Sequence, residues 1–467
     1  MASDTTFFWY DLETSGRDPR RHRIMQFAGR RTTLDLKPVG EPINWLVRLA
    51  EDVLPEPQAT LITGLTPQAT AEGISEAELV RRLHSEIFLP GTIMTGFNSV
   101  RFDDEYLRYT LYRSFYDPYA WSWKDGRSRW DLLDVVRFAR AMRPEGLQWP
   151  RDVNNDPINT LVTLAQANQL KHLKAHDALS DVDALIGVAG LLKQAQPRLW
   201  QYLLNLRAKD EVTKVIKPLA PEPFVYTNGM YGREHDFTTV AVVIGENRPG
   251  CYYAYDLRHD PAQFDGLSVD ELRRRLFTKR DELEAAGLER LPLKLITVNK
   301  CPAVAPLATL TPAAAGRLQL DPAKIQHHWQ TLKASNLPTA VREAYAGQEP
   351  FASGGDVDGA LYDGFIQDDA ACAQVRAASE QTIGPLAPAF ADSRLPELLV
   401  RYKGRNFPHA LSEPERTAWD TYRAGRIMVD IEPWSNALQE LYFSADAAGQ
   451  SLLTDLQLWA ESIYPAE

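Results

Sequence analysis

The first part of the chain alternates between apolar runs typical of strands and spacings typical of helices. Residues 7–12 read FFWYDL, an aromatic run that indicates a buried strand. The stretches RIMQFAGRRTT and INWLVRL predict two further strands, and TIMTGFN predicts a fourth. Helical spacing of apolar residues appears in EAELVRRLHSEIF and in the segments that follow the fourth strand. This order predicts a mixed sheet with helices packed against it.

Changes in the pattern divide the chain into three predicted domains. An α/β domain covers residues 5–190, and the proline-containing stretch VIKPLAPEPF lies beyond it. Short strand candidates such as TTVAVVIG then predict a small β-rich domain over residues 197–353. After the break at QEPFASGGDVDG, residues 354–467 are helical and acidic in pattern. The fold class is therefore α/β, followed by a β-rich and a helical region.

Length and composition favour a multidomain globular protein. The 467 residues are too many for one hydrophobic core, and 44% hydrophobic with 24% charged residues is ordinary. No apolar run approaches the roughly 20 residues that a membrane span requires. The N-terminus has no basic region or cleavage site typical of a signal peptide. Three cysteines without metal-ligand spacing favour a reducing, cytoplasmic location.

The net charge of −11 is unevenly distributed. Residues 354–467 hold 18 Asp/Glu and 8 Lys/Arg, which leaves 44 Asp/Glu and 43 Lys/Arg in residues 1–353. The first three-quarters are therefore nearly neutral, and a nucleic-acid partner is not excluded there. A cluster of arginines follows the first strand, at Arg17, Arg20, Arg21, Arg23, Arg30 and Arg31. It is either a basic patch or a solvated loop.

Two acids, Asp11 and Glu13, end the aromatic run. Residues i and i+2 of a strand face the same side, so both carboxylates project together. Two like charges that close require a neutralising cation to remain ionised, and hard oxygen ligands suit Mg²⁺ or Mn²⁺. The alternative is a strand that ends in solvent with both acids hydrated.

Two further motifs place acids near predicted helix starts. In GFNSVRFDDE, Asp103 and Asp104 begin a helix, where the helix dipole favours acids whatever their function. In HDALSDVDAL, His176 and Asp181 are five residues apart and cannot share one face of a regular helix. We expect His176 in the loop and Asp181 one turn into the helix, so that both reach one pocket. Alternatively, His176 is a surface or capping residue.

Taken in chain order, the three motifs resemble those of the DEDD exonuclease superfamily, in its branch with a catalytic histidine. Further stretches, such as FYDPYAWSW, RPEGLQWP and VNKCP, narrow the resemblance to the bacterial exodeoxyribonuclease I family over nearly the whole chain. The catalytic residues that this resemblance implies are Asp11, Glu13, Asp103, His176 and Asp181. The four carboxylates would hold two Mg²⁺ ions, with Mn²⁺ as a substitute, and His176 would deprotonate the attacking water. Asp104 and Asp183 rank second as ligands.

The resemblance also implies a fold and an activity. We expect a ribonuclease H-like exonuclease domain, an SH3-like domain that clamps DNA, and a helical C-terminal domain. Such enzymes degrade single-stranded DNA from the 3′ end to 5′-mononucleotides, with roles in DNA repair and recombination. The alternatives are an RNA-trimming member of the superfamily and an inactive DNA-binding scaffold. The long chain beyond the first domain argues against the former, and the filled catalytic positions argue against the latter.

An aromatic segment at residues 115–130 is the candidate platform for DNA bases. Its rings are Tyr116, Tyr119, Trp121, Trp123 and Trp130, and some of them are expected in the core. By resemblance, Tyr119 and Trp123 stack on bases. The further substrate contacts that the resemblance implies are Glu13, Arg108, Arg137, Thr160, Lys209, Asn299 and Lys300. Thr160 stands where the family pattern leads us to expect an arginine.

The resemblance implies one protein partner, the acidic C-terminal tail of single-stranded DNA-binding protein. The candidate site is LLVRYKGRNFP, in which Arg401, Lys403 and Arg405 lie within an otherwise acidic domain. The alternative is an ordinary solvated surface. We expect the protein to be a monomer without membrane association.

Overall fold

The structure is a computed structural model that describes residues 5–170, 178–346 and 355–465. Its contacts divide the chain into two compact units. The first unit contains residues 1–129, 172–186 and 352–467, and the second contains residues 130–171 and 187–351. The first unit thus contains residues of both the first and the third predicted domains.

The strands form two five-stranded sheets among the described residues. In chain order they are β1 (Thr6–Thr14), β2 (Ile24–Thr33), β3 (Ile43–Leu46), β4 (Thr92–Gly96), β5 (Ser128–Asp131), β6 (Phe224–Thr227), β7 (Thr238–Arg248), β8 (Cys251–Asp256), β9 (Leu293–Thr297) and β10 (Ala303–Pro306). The first sheet has the order β3-β2-β1-β4-β5, with β1 antiparallel to β2 and parallel to β4. The second is antiparallel, in the order β10-β6-β7-β8-β9. The predicted mixed sheet and β-rich region are confirmed.

The α-helices lie between and after these strands along the chain. In chain order they are α1 (Pro57–Thr63), α2 (Glu76–Arg82), α3 (Asp103–Arg113), α4 (Leu132–Met142), α5 (Leu161–Ala167), α6 (Ala178–Ala195), α7 (Pro197–Asn205), α8 (Lys209–Ile216), α9 (Val269–Phe277), α10 (Arg280–Ala285), α11 (Pro312–Arg317), α12 (Pro322–Ala334), α13 (Leu337–Ala346), α14 (Asp369–Ala377), α15 (Glu380–Ile383), α16 (Leu395–Asn406), α17 (Glu413–Ser444) and α18 (Ala447–Ile463). In the part of the chain that the structure describes, none of them combines the length and apolar character of a transmembrane segment.

Strand β1 is central to the first sheet and is covered on both faces. Phe8, Tyr10 and Leu12 alternate along it and belong to one buried cluster, which also contains residues of α2 and α3. Phe7 and Trp9 occupy the opposite face, and their rings lie 5.0 Å apart. The aromatic run therefore fills the core on both sides of the strand. Such burial on both faces gives a nearly continuous apolar sequence rather than an alternating one.

The last two helices of the first unit pack against the segment that precedes α1. The indole of Trp434 in α17 donates a hydrogen bond to the carbonyl of Pro55, at 2.6 Å. The indole of Trp459 in α18 donates to the carbonyl of Val53, at 3.2 Å. Both tryptophans also pack into buried apolar clusters. The C-terminal helices are thus attached to the N-terminal third of the chain by apolar burial and by specific hydrogen bonds.

A buried network of ion pairs lies within the first unit. Arg405 of α16 donates to Asp52 at 2.8 Å and to Asp358 at 2.8 Å, and both carboxylates are fully buried. Burial alone would raise the pKa of Asp52, but the charges of Arg405 and Arg23 hold that pKa below its ordinary value. Both acids are therefore ionised and depend on their arginine partners.

Arg401, Lys403 and Arg405 do not form the predicted docking site for an acidic tail. All three side chains are buried, because α16 turns them into the unit. Arg401 pairs with Asp358 at 3.1 Å, and the Lys403 ammonium donates to Glu415 at 2.7 Å. Charges that are already desolvated and paired present no surface to a partner, so the expected site is corrected to an internal network.

Replacement of Asp358 tests the importance of this network. We expect Asp358→Ala to lower the free energy of unfolding by about 3–5 kcal/mol, because it leaves buried arginines without their carboxylate. The control is Asp420→Ala, which removes a surface partner of Arg423 and should change stability by less than about 1 kcal/mol. Denaturant unfolding followed by circular dichroism measures both variants. Equal stabilities for the two would contradict the assigned role.

Candidate active site

The candidate site begins at the carboxyl end of β1. Asp11 lies opposite Ala28 of β2, and Glu13 lies opposite Gln26, before the register shifts between Glu13 and Thr14. The strand is thus regular through both acids, and their side chains share one face as predicted. This is the face that also carries Phe7 and Trp9. Glu13 is buried and Asp11 is half-buried, so neither is a freely hydrated strand end.

Helix α6 brings a third carboxylate to this pair. Asp181 lies in the first turn of α6. One carboxylate oxygen from each of Asp11, Glu13 and Asp181 lies within 4.8 Å of the others. The structure therefore brings together three of the predicted site residues from the two ends of the first predicted domain.

The electrostatics of the group favour a bound cation. Burial, and then the charge of Asp181, raise the pKa of Asp11 from 3.8 to about 8. The ionised form of Asp11 is therefore unfavourable when no cation is present. A divalent cation among the three carboxylates would offset both the burial and the repulsion. Since all the donors are hard oxygen atoms, they fit Mg²⁺ or Mn²⁺.

Asp103 is placed by a tight turn between β4 and α3. Gly96 ends β4, and a Cβ atom there would lie 2.6 Å from the Ser99 Cβ, so the turn requires glycine. Asn98 has a positive φ of 64°, a conformation that asparagine tolerates better than most residues. Asp103 itself is the first residue of α3 and is buried. It is not one of the three carboxylates that cluster, and its role as a ligand stays a prediction.

The two acids ranked second as ligands have other partners. Asp104 accepts a hydrogen bond from the Tyr10 hydroxyl at 2.6 Å and pairs with Arg129. Asp183 accepts from the Arg30 guanidinium at 3.0 Å and is half-exposed. These contacts are consistent with structural roles for both acids. His176 lies outside the described residues, so its predicted role as the general base stays a prediction.

Tyr10 is a residue that the sequence reasoning missed. It lies on the face of β1 opposite Asp11, and its bond to Asp104 ties β1 to the start of α3. Burial, and then the charge of Asp104, raise the pKa of its hydroxyl well above 10, so the hydroxyl remains a donor. A tyrosine inside a buried aromatic run requires a polar partner for its hydroxyl. The sequence therefore did indicate that Tyr10 would bond to a polar group, although it did not identify Asp104.

The arginines after β1 make mostly internal contacts. Arg23 is buried beside Asp52, at 3.5 Å. Arg30 pairs with Asp183, and Arg31 donates to the Thr92 hydroxyl at 2.9 Å. The cluster is therefore neither a uniform basic patch nor a solvated loop, because several of its charges are used within the first unit.

The aromatic segment separates into core and exposed rings. Trp121 is fully buried and stacks on Phe88 at 5.6 Å, and Trp130 is buried edge-to-face against Trp200 at 4.8 Å. Trp123, in contrast, is 64% exposed. The expectation that some of these rings belong to the core is confirmed.

Tyr119 and Arg108 form one half-buried arrangement. The Arg108 guanidinium lies 5.6 Å from the centroid of the Tyr119 ring and donates to Glu105 at 2.6 Å. The Tyr119 ring also meets Phe365 edge-to-face at 5.8 Å. Arg108 is only 8% exposed, so a phosphate would reach it only at the edge of this arrangement.

The second unit carries the other predicted substrate contacts. Arg137 of α4 pairs with Asp134 at 2.8 Å and lies over the Phe237 ring at 5.1 Å. Lys209 is exposed at the start of α8. Asn299 and Lys300 are also exposed and follow β9. Their roles in binding stay predictions.

Thr160 has a structural role that accounts for its side chain. It is the N-cap of α5, where its hydroxyl accepts from the Thr163 backbone N–H at 3.4 Å. It also donates to the Thr163 hydroxyl at 2.7 Å. Threonine is a favoured N-cap residue and arginine is not, so the departure from the family pattern strengthens the start of this helix.

Carboxylates gathered at the end of the central strand of a mixed α/β sheet are an arrangement that metal-dependent hydrolases, nucleases among them, use. Comparison with family models supports this class. Residues 8–189 match the model described as Exonuclease. Residues 207–347 match the Exonuclease I SH3-like domain, and residues 355–463 match the Exonuclease I C-terminal domain.

Similarity to individual proteins extends over nearly the whole chain. Exodeoxyribonuclease I of Haemophilus influenzae is 38% identical over 447 residues, which cover 94% of each chain. Exodeoxyribonuclease I of Escherichia coli is also 38% identical, over 98% of each chain. The crystal structure of E. coli exonuclease I with a dA16 oligonucleotide superposes with a TM-score of 0.95 at 36% identity, covering 98% of this chain and all of that one. An exonuclease I from Methylocaldum szegediense gives a TM-score of 0.93 at 39% identity, covering 99% of this chain and all of that one. This chain belongs to the exodeoxyribonuclease I family of enzymes, which confirms the resemblance found in the sequence.

The raised pKa of Asp11 predicts how stability depends on pH and on metal. In the unfolded chain Asp11 loses its proton near 3.8, whereas in the folded metal-free protein it keeps the proton up to about 8. The free energy of unfolding therefore falls as the pH rises through this interval. We expect Asp11→Asn to raise the stability of the metal-free protein at pH 8 by a few kcal/mol and to abolish stabilisation by added Mn²⁺.

Thermal unfolding in EDTA and in Mn²⁺, from pH 5 to pH 8, measures both effects. The matched control is Asp183→Asn, which removes an acid outside the carboxylate group and should leave the response to Mn²⁺ intact. An Asp11→Asn variant that Mn²⁺ still stabilises as strongly as the parent protein would disprove the assignment.

Proposed function

We propose that this enzyme degrades single-stranded DNA from its 3′ end and releases 5′-mononucleotides. The observation that carries the proposal is the carboxylate group at Asp11, Glu13 and Asp181, whose repulsion favours divalent cations. Family membership over nearly the whole chain supports single-stranded DNA as the substrate. The E. coli relative has been crystallised with dA16 and dT13 oligonucleotides. An RNA substrate or an inactive scaffold remains as an outcome of the test below.

The proposed cofactor is a pair of divalent cations, Mg²⁺ with Mn²⁺ as a substitute. Asp11, Glu13 and Asp181 would hold them, with Asp103 as the fourth ligand. Bound cations would stabilise the negative charge that develops on the attacked phosphate and on the leaving oxygen. The oxygen-only donor set supports this choice, and an E. coli relative has been crystallised in a zinc-bound form.

The chain's own groups supply orientation and proton transfer. His176 is proposed to accept the proton of the attacking water, because a histidine with an ordinary pKa near 6.5 is partly neutral at physiological pH. Tyr10 and Arg129 would fix the start of α3 through Asp104, and so hold Asp103 in place. In this scheme no side chain acts as a nucleophile.

Substrate binding is proposed to combine stacking with basic contacts. Trp123 is the strongest candidate for stacking, because its ring is already exposed. Tyr119 would take part from its half-buried position, with phosphate contacts from Arg108, Arg137, Lys209, Asn299 and Lys300. Stacking is tolerant of base sequence, which suits an enzyme that digests any single strand.

Family membership also supports the cellular part of the proposal. The enzyme would act as a cytoplasmic monomer in DNA repair and recombination. It would also bind the acidic tail of single-stranded DNA-binding protein, at a surface other than the buried cations of α16.

Cleavage assays with Asp181→Asn test the activity. The substrates are 3′-labelled single-stranded DNA, single-stranded RNA and duplex DNA, each in Mg²⁺ and in EDTA. We expect rapid loss of label only from single-stranded DNA in Mg²⁺, and a loss of about 10³-fold or more in rate for Asp181→Asn with binding retained. Asp183→Asn, two residues along α6, is the matched control and should stay active.

Three results would disprove the proposal. Cleavage in EDTA would exclude the metal role, and RNA cut as fast as DNA would indicate the RNA-trimming alternative. A parent protein that binds single-stranded DNA but cuts none of the substrates would indicate the scaffold.

Trp123→Ala tests the stacking contact. Loss of one stacked base should weaken single-stranded DNA binding by about 1–3 kcal/mol, roughly 5- to 150-fold. Fluorescence anisotropy with a labelled oligonucleotide in Ca²⁺, to limit cleavage, measures the affinity. Phe443→Ala removes another highly exposed aromatic ring and should leave DNA affinity unchanged. Equal affinities for the two variants would place Trp123 outside the DNA path.

A further inference from the structure

The end of the chain is uniformly acidic. Residues 427–465 contain no lysine, arginine or histidine. Their carboxylates are Asp430, Glu432, Glu440, Asp446, Asp455 and Glu461. This segment comprises the second half of α17 and all of α18. Asp430 pairs with Arg21 from outside the segment, and the other five carboxylates still give the segment a net negative charge. Such a charge repels DNA, so the nuclease activity does not explain it.

A groove runs between these two helices. Its cavity has a volume of about 380 Å³. Ile431, Trp434 and Leu438 line it from α17, at the i, i+3 and i+7 spacing of one helix face. Ala460 and the carboxylate-bearing Glu461 line it from α18, together with Tyr464 directly after that helix. The groove therefore has an apolar floor beside an acidic side chain.

Apolar residues are also exposed along the same two helices. Val429 and Phe443 of α17 are 73% and 86% exposed, and Leu458 of α18 is exposed as well. These three residues do not line the groove, but exposed apolar side chains on the same two helices are typical of interaction surfaces. The first half of α17 differs, because Trp419 and Tyr422 there pack on arginines of α16.

We propose that the α17–α18 groove binds a basic amphipathic helix of a partner protein. The apolar face of such a helix would enter the groove beside Trp434, Leu438 and Tyr464. Its lysines and arginines would meet Glu461 at the groove, within a segment that carries no cation of its own. The observed charge excludes nucleic acid as the occupant. It also disfavours a second copy of this chain, because two identical acidic grooves would face each other.

Peptide binding to the full-length protein tests the proposal. The probe is a fluorescein-labelled peptide of about 18 residues, long enough to form a helix, with leucine at i, i+3, i+4 and i+7 and lysine elsewhere. One control peptide carries glutamate in place of lysine, and a second has the first peptide's composition in scrambled order. Fluorescence anisotropy at low and at physiological salt measures each affinity.

Two variants locate the binding. Gln457→Trp fills the groove and Glu461→Lys reverses its charge, and each should weaken binding of the lysine peptide by about tenfold or more. Glu380→Lys makes the same charge change at an exposed residue of α15, outside the groove, and should bind like the parent protein. All three variants should digest DNA at the parent rate, so the binding result is independent of the proposed nuclease function.

The expected result is tight binding of the lysine peptide alone, weakened by salt and by both groove variants. Three results would overturn the proposal: no binding of the lysine peptide, equal binding of the scrambled peptide, or unchanged affinity in both groove variants. Sedimentation that shows a dimer of the parent protein, lost in Gln457→Trp, would assign the groove to a second copy and would equally overturn it.

Discussion

The repulsion among the carboxylates at the end of β1 is the constraint on which the site depends. Asp11 and Glu13 share a face because a strand repeats every two residues, and α6 adds Asp181 from far along the chain. The folded protein holds these groups together although burial raises the pKa of Asp11. The unfavourable free energy of repulsion and burial in the metal-free protein is relieved when a cation binds, and this relief adds to the affinity for the cation.

Apolar burial on both faces of β1 offsets the unfavourable free energy of the carboxylate group. Phe8, Tyr10 and Leu12 anchor one face in a large apolar cluster, and the Tyr10 hydroxyl reaches across to α3. Phe7 and Trp9 fill the other face up to the point where the acids begin. A strand buried this completely cannot move to separate its carboxylates, so the arrangement is preorganised rather than formed on binding.

Local periodicity was enough to predict the mixed sheet, the acid pair on β1 and the place of Asp181 in the first turn of α6. It was not enough for residues whose roles depend on distant partners. The sequence predicts Arg405 to be a surface cation, because its neutralising partner Asp52 lies 353 residues away in the chain. Trp121 lies within one 3₁₀ turn and is buried, whereas Trp123 lies between two such turns and is exposed, a difference that their spacing in the sequence does not predict. The capping role of Thr160 was within reach of the sequence, since threonine before an apolar run is a helix-start signal.

The bond between Arg405 and Asp52 also has a consequence for the order of events during synthesis. Asp52 leaves the ribosome long before Arg405 is made, and at about 5–20 residues per second the delay is roughly 20–70 s. During this interval the first sheet can pair its strands, but Asp52 and Arg23 lack the C-terminal charges that stabilise them in the finished protein. The part of the chain around Asp52 therefore reaches its final stability only after α16 has been made.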